Sequence, residues 1–360
     1  MKATAGSLAA DQAAIRATHH EFIDAPFPDT VWLALETLYA SVYSSQVQLA
    51  SQCRGRQVSA WIERSGGSIS ALLLYTREGA VVRVLNQVLH LPEAVIRRFA
   101  LAIFMHDAQA HLVQLHAVFI HREESEHRER ASDDQPRLLT SAFSEDYALK
   151  LPATHEQWLA ALSRQTREKV RYHLRRSFRR QPGLAFSVTS SDMIADEDVQ
   201  AVLKLNRERM RRKGKSYGMS AAEEDQLRKQ MQQVGLLCVL RLDGVICAGL
   251  LCSVSGGDVY MHVIAHDPRY DDLRLGLVCC CLTIRHLIEH QYSQFHFLWG
   301  HYDYKRRLGG RALPLYRVMV PRSALSLWRH PLSVGRWWAE SVRDALRRWR
   351  QPAVARERSC

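Results

Sequence analysis

Arg274, Leu275 and Gly276 stand where an apolar run predicts the start of a helix over residues 274–290. A strand is predicted just before it, at residues 259–266. The free N–H groups and the dipole at a helix N-terminus favour an anion, a small residue allows close approach, and Arg274 adds a cation. The segment from Arg274 to Leu277 is therefore a candidate phosphate site, although a single Gly at a helix start is an ordinary turn residue in most proteins.

Three titratable side chains, His262, Asp267 and Asp303, lie close to this segment in the predicted order of elements. Strand alternation places His262 on the same face as Tyr260 and Ile264. A single His on a strand is more often a hydrogen-bonded structural residue than a base, and a chain of waters can replace a base. The sequence therefore assigns no general base.

The sequence does not predict a metal centre. His106, His111, His116 and His121 recur every five residues, a spacing that shares no face on a helix or a strand. The cysteines form neither zinc-binding pairs nor a disulfide framework. The triplet from Cys279 to Cys281 cannot share one helical face, and it is typical of buried core thiols.

The chain has 360 residues, of which 47% are hydrophobic and 24% charged, and this balance predicts a folded protein of two domains. No stretch has the length and apolarity of a transmembrane helix or a secretory signal, so the cytoplasm is the expected compartment. The net charge is +12, and residues 301–360 alone hold 14 Lys/Arg against four Asp/Glu. Such a local excess attracts polyanions or anionic lipids.

Two halves of the chain show the same order of elements. In the first, a helix precedes a hairpin with Gly66-Gly67 as its turn, a third strand, a buried helix and further strands. In the second, helices precede three meandering strands joined by Asp243-Gly244 and Gly256-Gly257, followed by a helix and two strands. This order predicts an α+β sandwich in which helices flank a mixed, mostly antiparallel central sheet.

Four segments resemble the GNAT acyltransferase superfamily, and within it the cellulose-biosynthesis (CelD)-like and Fem-peptidyltransferase-like branches. They are residues 162–178, 207–218, 259–276 and 295–309. The last is the most specific, because a strand is followed by Gly300 and then by an aromatic-Lys pair. The resemblance implies tandem GNAT-like domains: a degenerate one at 20–150 after a flexible lead at 1–19, an acyltransferase domain at 151–322, and a basic tail at 323–360.

The resemblance also implies a donor and a site. The donor is acetyl-CoA or another acyl-CoA, its pyrophosphate held at residues 274–277, with no metal. Lys305 is the candidate for stabilising the oxyanion, and Tyr304 and Tyr302 are candidate proton donors. Alternatively, Tyr304 packs in the core while Lys305, Arg306 and Arg307 form a solvated basic turn. If Lys305 is catalytic, the Lys305→Ala variant is expected to fold normally and lose transfer.

The acceptor site is assigned to His262, Asp267, Arg212 and Tyr217. Arg212 belongs to a basic cluster, residues 204–215, that precedes Tyr217 where GNAT enzymes shape the acceptor pocket. Such a run is usually a solvated face. Otherwise it favours an acidic small-molecule acceptor such as a sugar nucleotide, an acidic carrier protein, or aminoacyl-tRNA as an alternative donor.

Residues 325–350 interleave Trp and Leu with Arg, a pattern typical of an amphipathic helix at a membrane interface. Peripheral attachment to the inner membrane is one interpretation, and packing on the protein's own sheet is the other. The predicted function is N-acyl transfer to a cell-envelope or polysaccharide precursor. The alternatives are a Fem-like transferase that uses charged tRNA and a catalytically inactive module that binds membrane or nucleic acid.

Overall fold

The computed structural model describes residues 19–53, 55–121, 136–214, 216–300 and 302–350. The predicted flexible lead at 1–19 lies almost wholly outside these residues. The strands are β1 His19–Asp24, β2 Val58–Ser65, β3 Ser68–Glu78, β4 Val81–Val84, β5 Leu89–Pro92, β6 Leu112–His121, β7 Leu139–Lys150, β8 Leu184–Ser190, β9 Gly235–Leu242, β10 Val245–Ser255, β11 Asp258–His266, β12 Gln294–His296 and β13 Arg311–Pro321.

The helices alternate with these strands. They are α1 Asp29–Tyr39, α2 Gln46–Cys53, α3 Glu93–His106, α4 His155–Ala161, α5 Arg164–Arg180, α6 Asp196–Arg212, α7 Ala221–Val234, α8 Leu275–Glu289, α9 Asp303–Arg307, α10 Ala324–Arg329 and α11 Pro331–Arg350. Within the described ranges, none of these helices is both long and apolar enough to cross a bilayer.

The described part of the chain forms two compact units, one from residues 19–144 and 314–350 and the other from 145–313. In the first unit the strand order is β1-β2-β3-β4-β6-β13. Neighbours are antiparallel except for β4 and β6, which are parallel and are connected through α3. The buried helix α3 covers one face of this sheet, where Phe99 and Ile103 pack against Leu73 and Val113.

The second unit repeats this topology in the order β8-β9-β10-β11-β12-β7. Here β11 and β12 form the parallel pair and α8 connects them, while the other neighbours are antiparallel. Helix α8 packs its apolar face on the sheet through residues such as Cys279 and Ile284, and Val202 and Met231 of α6 and α7 belong to a second core cluster. The sixth strand, β13 in the first unit and β7 in the second, comes in each case from a segment that links the two units along the chain.

Local sequence explains several boundaries. Ser220 and Glu223 form a capping box that starts α7. Asp243 and Gly244 have φ of 50° and 83°, which a two-residue hairpin turn between β9 and β10 requires.

The predicted fold class, helices flanking mixed and mostly antiparallel sheets in a tandem arrangement, is confirmed. The predicted domain ranges 20–150, 151–322 and 323–360 remain predictions. The structure adds elements that the sequence pattern did not indicate, namely β1, α2 and β8.

Candidate active site

Strands β11 and β12 separate part-way along their length. They pair in parallel over three residues, ending with Tyr260 opposite His296. The next residue, Phe297, donates its N–H to the carbonyl of Tyr147 on β7 at 2.8 Å, whereas β11 continues to His266. The two strands therefore diverge and leave a wedge, bounded by the end of β11 on one side and by the segment after β12 on the other.

Lys305 is buried beside this segment, with 2% of its surface exposed. Its Nζ donates to the carbonyls of Leu298, Trp299 and Gly300 at 2.7, 3.0 and 3.0 Å. Leu298 and Gly300 have φ of 54° and 102°, so the turn directs three successive carbonyls at one ammonium. Burial lowers the pKa of Lys305 to about 8, against the opposing charge of Asp146. The alternative of a solvated turn is therefore wrong for Lys305.

The two candidate proton donors, Tyr304 and Tyr302, differ in their burial. Tyr304 packs edge-on against Phe297 with ring centroids 6.2 Å apart, and burial raises its pKa well above the ordinary value. It therefore stays protonated at neutral pH. Tyr302 is half exposed, and its ring centre lies 5.4 Å from Nζ of Lys305.

Arg209 of α6 is a further charged group of this site. The sequence pattern placed it in the basic cluster at residues 204–215 and did not single it out. Its Nε is buried and has no hydrogen-bond partner in the described part of the chain. Burial lowers the pKa of Arg209, and Tyr304 and Tyr302 oppose that shift. Burial also lowers the pKa of His266; the hydrogen bond to Asp271 opposes this, and the charge of Arg209 adds to it. Arg209 thus lies within electrostatic reach of both sides of the wedge.

A buried ion pair lies at the closed end of the wedge. His296 Nδ1 is 2.7 Å from Asp146 Oδ2, and Tyr260 stacks on the imidazole at 4.4 Å between centroids. Burial disfavours the charged imidazole, but its bonds with Asp146 and Asp258 outweigh this and raise the pKa of His296 to about 9. No local sequence pattern indicated this pair, because its members are 150 residues apart.

The start of α8 forms the other candidate part of the site. Arg274 has φ of 55°, and its carbonyl accepts the first helical bonds from Leu277 and Val278 at 2.9 and 3.1 Å. The N–H groups of Leu275 and Gly276 precede these bonds and have no acceptor within the helix. Val278 is buried in the core.

Gly276 is required by close packing. A Cβ at this position would lie 2.9 Å from Nδ1 of His266, at the end of β11. Helix α5 adjoins the preceding turn, since Arg176 and Arg180 both bond Asp272 at 3.1 and 3.2 Å. Arg176 and Arg180 therefore lie beside the turn that precedes α8, where both pair with one carboxylate.

His262 does not have the position that strand alternation predicts. Leu251 pairs with Val263 and Cys252 with Met261, so His262 is the extra residue of a β-bulge. After the bulge, Val263 packs in the core cluster with α6 and α7, whereas Ile264 packs against the cluster with α8. His262 and Ile264 therefore do not share a face. His262 Nε2 lies 3.0 Å from Ser253 Oγ, and burial lowers its pKa to about 4.

The other three predicted acceptor residues have separate surroundings. Asp267 accepts two hydrogen bonds from the guanidinium of Arg269 at 2.6 and 2.9 Å. Burial raises the pKa of Asp267, but the bonds from Arg269 outweigh burial and the pKa is lowered. Arg212 is exposed at the end of α6. Burial and the nearby Glu224 carboxylate raise the pKa of Tyr217. Their assignment to the acceptor site remains a prediction.

No cluster of His, Cys, Asp or Glu suited to a metal ion occurs among the residues that the structure describes. Cys279, Cys280 and Cys281 are buried, and burial raises the pKa of each thiol. A thiol in that state is a poor nucleophile.

Comparison with known proteins supports the predicted family. Residues 164–306 match the family profile described as an acetyltransferase (GNAT) domain. The resemblance predicted from sequence is therefore confirmed, and the chain carries an acyltransferase domain. No significant match was found among curated protein sequences.

Among solved structures, the chain is similar to FemX with 12% identity and a TM-score of 0.54, covering 82% of this chain and 96% of FemX. It is also similar to L-PGS from Bacillus licheniformis, with 15% identity, a TM-score of 0.51 and coverage of 86% and 95%. A third similar structure is a conserved protein of unknown function from Bacteroides thetaiotaomicron, with 13% identity and a TM-score of 0.53. The match covers 82% of this chain and 96% of that protein. At these identities the likeness shows a shared fold.

Proposed function

We propose that this acyltransferase moves an acyl group, with acetyl as the expected one, from acyl-CoA to an amine or hydroxyl of a cell-envelope or polysaccharide precursor. The observation that carries the proposal is the wedge between β11 and β12, with the start of α8 at one side and Lys305 at the other. The envelope acceptor rests on the family resemblance alone.

The start of α8 is suited to the donor's pyrophosphate. The N–H groups of Leu275 and Gly276 and the side chain of Arg274 supply the donors and the charge that an anion needs. Gly276 keeps this end of the helix close to His266, and Arg274 is the exposed cation beside it.

Transfer to an amine forms a C–N bond, breaks the C–S bond and places negative charge on the acyl oxygen in between. Lys305 contributes a fixed positive charge, since its three N–H bonds are already made to carbonyls. Arg209 still has an N–H to donate to the developing oxyanion. Tyr304, which stays protonated, or the more exposed Tyr302 is the proton donor for the departing thiolate.

The same residues leave the general base unassigned. His262 has a pKa of about 4 and is a weak base, and Asp267 is held by Arg269. Both residues, with Arg212 and Tyr217, remain candidates for acceptor contacts.

A second donor, charged tRNA, is favoured by the surface of α5. Arg164, Arg171, Arg175 and Arg179 are exposed and recur at intervals that return to one helical face. Arg171, Arg175 and Arg179 lie about 6 Å apart along the helix axis and Arg164 about 10 Å before them, and the exposed Tyr172 adds a ring on which a base can stack. The Fem-like resemblance implies the same donor.

Equilibrium titration with acetyl-CoA and with aminoacyl-tRNA, each at low and high salt, distinguishes the donors. Saturable acetyl-CoA binding that Gly276→Ala weakens supports the first. Binding of tRNA with a steep salt dependence, weakened in Arg171→Gln/Arg175→Gln but not in the control Arg285→Gln, supports the second. Binding of neither overturns both and favours an inactive module.

Peripheral membrane contact through residues 325–350 is part of the same proposal. One side of α11 packs in the first unit through Trp337 and Asp344, and Asp344 bonds Arg317 at 2.9 Å. The opposite side exposes apolar side chains, among them Leu332 at 89%. On α11 the exposed set is Leu332, Trp338, Val342 and Leu346, and on α10 Leu325 and Trp328 are also exposed.

The exposed residues of α11 lie within an arc of about 120°, beside the exposed Arg336 and Arg343. An apolar stripe flanked by arginines complements an anionic lipid surface. We expect co-sedimentation with phosphatidylcholine vesicles that contain phosphatidylglycerol, reduced by salt and lost in Leu332→Asp/Val342→Asp. No binding at low salt, or equal binding by that variant, would overturn membrane contact without affecting the acyl-transfer proposal.

A further inference from the structure

A cavity of about 280 Å³ lies within the first unit, between α11 and one face of the sheet. Three of its wall residues come from neighbouring strands, Thr76 from β3, Arg83 from β4 and Gln114 from β6. Arg83 pairs directly with Thr76 on one side and with Gln114 on the other. These side chains therefore form a continuous polar row across three strands.

This polar row interrupts an otherwise apolar face. On one side of it, Leu72 and Leu74 belong to a core cluster beneath α1, and on the other, Met319 packs with Trp337. Burying polar side chains without hydrogen bonds costs free energy, so a polar row beneath a helix needs partners. The cavity is where such partners can bind.

Two buried donors at the cavity wall have no hydrogen-bond partner in the described ranges. One is Nε of Arg83 and the other is Nε1 of Trp337, a residue with only 5% of its surface exposed. The other guanidinium nitrogens of Arg83 are only partly engaged, since NH1 lies 3.4 Å from Glu78. Both unpartnered groups are donors, so the missing partner is an acceptor.

The charge of the cavity wall selects an anionic acceptor. Four arginines line it against two glutamates; Glu340 is shared by Arg317 and Arg336, and Arg317 also bonds Asp344, so four cations face three carboxylates. His116 also lines it; burial and the charge of Arg317 lower its pKa to about 4, so it is neutral at pH 7. The wall thus carries a net positive charge.

We propose that this cavity binds a small phosphate ester of a polyhydroxylated molecule, such as a monosaccharide phosphate. The phosphate accepts from Arg83 and Trp337, and the hydroxyl groups exchange hydrogen bonds with the amides of Gln52, Gln87 and Gln114, which both donate and accept. The volume is near the lower end of ligand pockets, about 300 Å³, which suits one sugar ring and its phosphate. This inference does not depend on the acyl-transfer proposal.

Calorimetric titration of the full chain with glucose 6-phosphate, glucose and inorganic phosphate tests the site. We expect glucose 6-phosphate to bind more tightly than inorganic phosphate and glucose to bind least. No binding of glucose 6-phosphate at millimolar concentration would overturn the site. Equal affinity for glucose 6-phosphate and inorganic phosphate would overturn the sugar component.

Variants then locate the binding. Trp337→Phe keeps the packing ring and removes the N–H, and Arg83→Gln removes the guanidinium; each is expected to weaken glucose 6-phosphate binding about tenfold. Arg336→Gln, at an exposed position on the rim, tests the charge in a variant that is expected to fold. Arg285→Gln in the second unit is the matched control. Unchanged affinity in all three cavity variants would contradict the assignment.

Discussion

Replacement of Lys305 tests whether the ammonium is buried as the structure has it. Three N–H bonds to carbonyls at about 1.5 kcal/mol each stabilise the fold by about 4.5 kcal/mol. Burial of the charge opposes this, since a fall in the pKa of Lys305 from 10.5 to about 8 corresponds to about 3 kcal/mol. The net loss expected for Lys305→Met, which keeps the side-chain volume, is therefore only about 1 to 2 kcal/mol.

Lys305→Ala should cost more, because it also removes three buried methylene groups at about 0.8 kcal/mol each and leaves a cavity. We expect a loss of about 3–4 kcal/mol in the free energy of unfolding. The earlier expectation that this variant folds normally is thereby revised, and transfer by Lys305→Met is the better measure of a catalytic role.

Urea denaturation of both variants measures these losses. Lys229, exposed and paired with Asp225 at 2.5 Å, is the matched control, and its Met and Ala variants should change stability by less than about 0.5 kcal/mol. A cost for Lys305→Ala no larger than that of Lys229→Ala would refute the burial of Lys305.

Three further predictions follow from the site. The pKa of His296 is raised from 6.5 to about 9, so the charged imidazole stabilises the fold fully below pH 6.5 and this contribution is lost as pH rises through 9. The free energy of unfolding should therefore fall between pH 6.5 and 8, and Asp146→Asn should flatten that slope. Gly276→Ala should reduce transfer at least about tenfold through its clash with His266, whereas Gly335→Ala, in open space, should not. Arg209→Gln should lower kcat about ten- to a hundredfold with unfolding free energy changed by less than about 1 kcal/mol, and equal kcat in this variant and the exposed control Arg211→Gln would exclude Arg209 from catalysis.

The sequence by itself determined most of the order of elements in both halves, although β1, α2 and β8 had no local signal. Period-two apolar runs, the Asp243-Gly244 turn and the apolar helix after residue 274 are local signals, and each corresponds to an observed element. The aromatic-Lys pair after Gly300 likewise marked a segment that borders the wedge. Local chemistry sufficed because backbone propensity and amphipathic period act over a few residues.

Only the tertiary structure decided what those residues contact. A bulge moved His262 away from Ile264, and a turn closed three carbonyls around Lys305. The pair of Asp146 and His296 joins positions 150 residues apart. Register, burial and electrostatic environment depend on which distant segments pack together, and these long-range contacts leave no periodic signal in one chain's sequence.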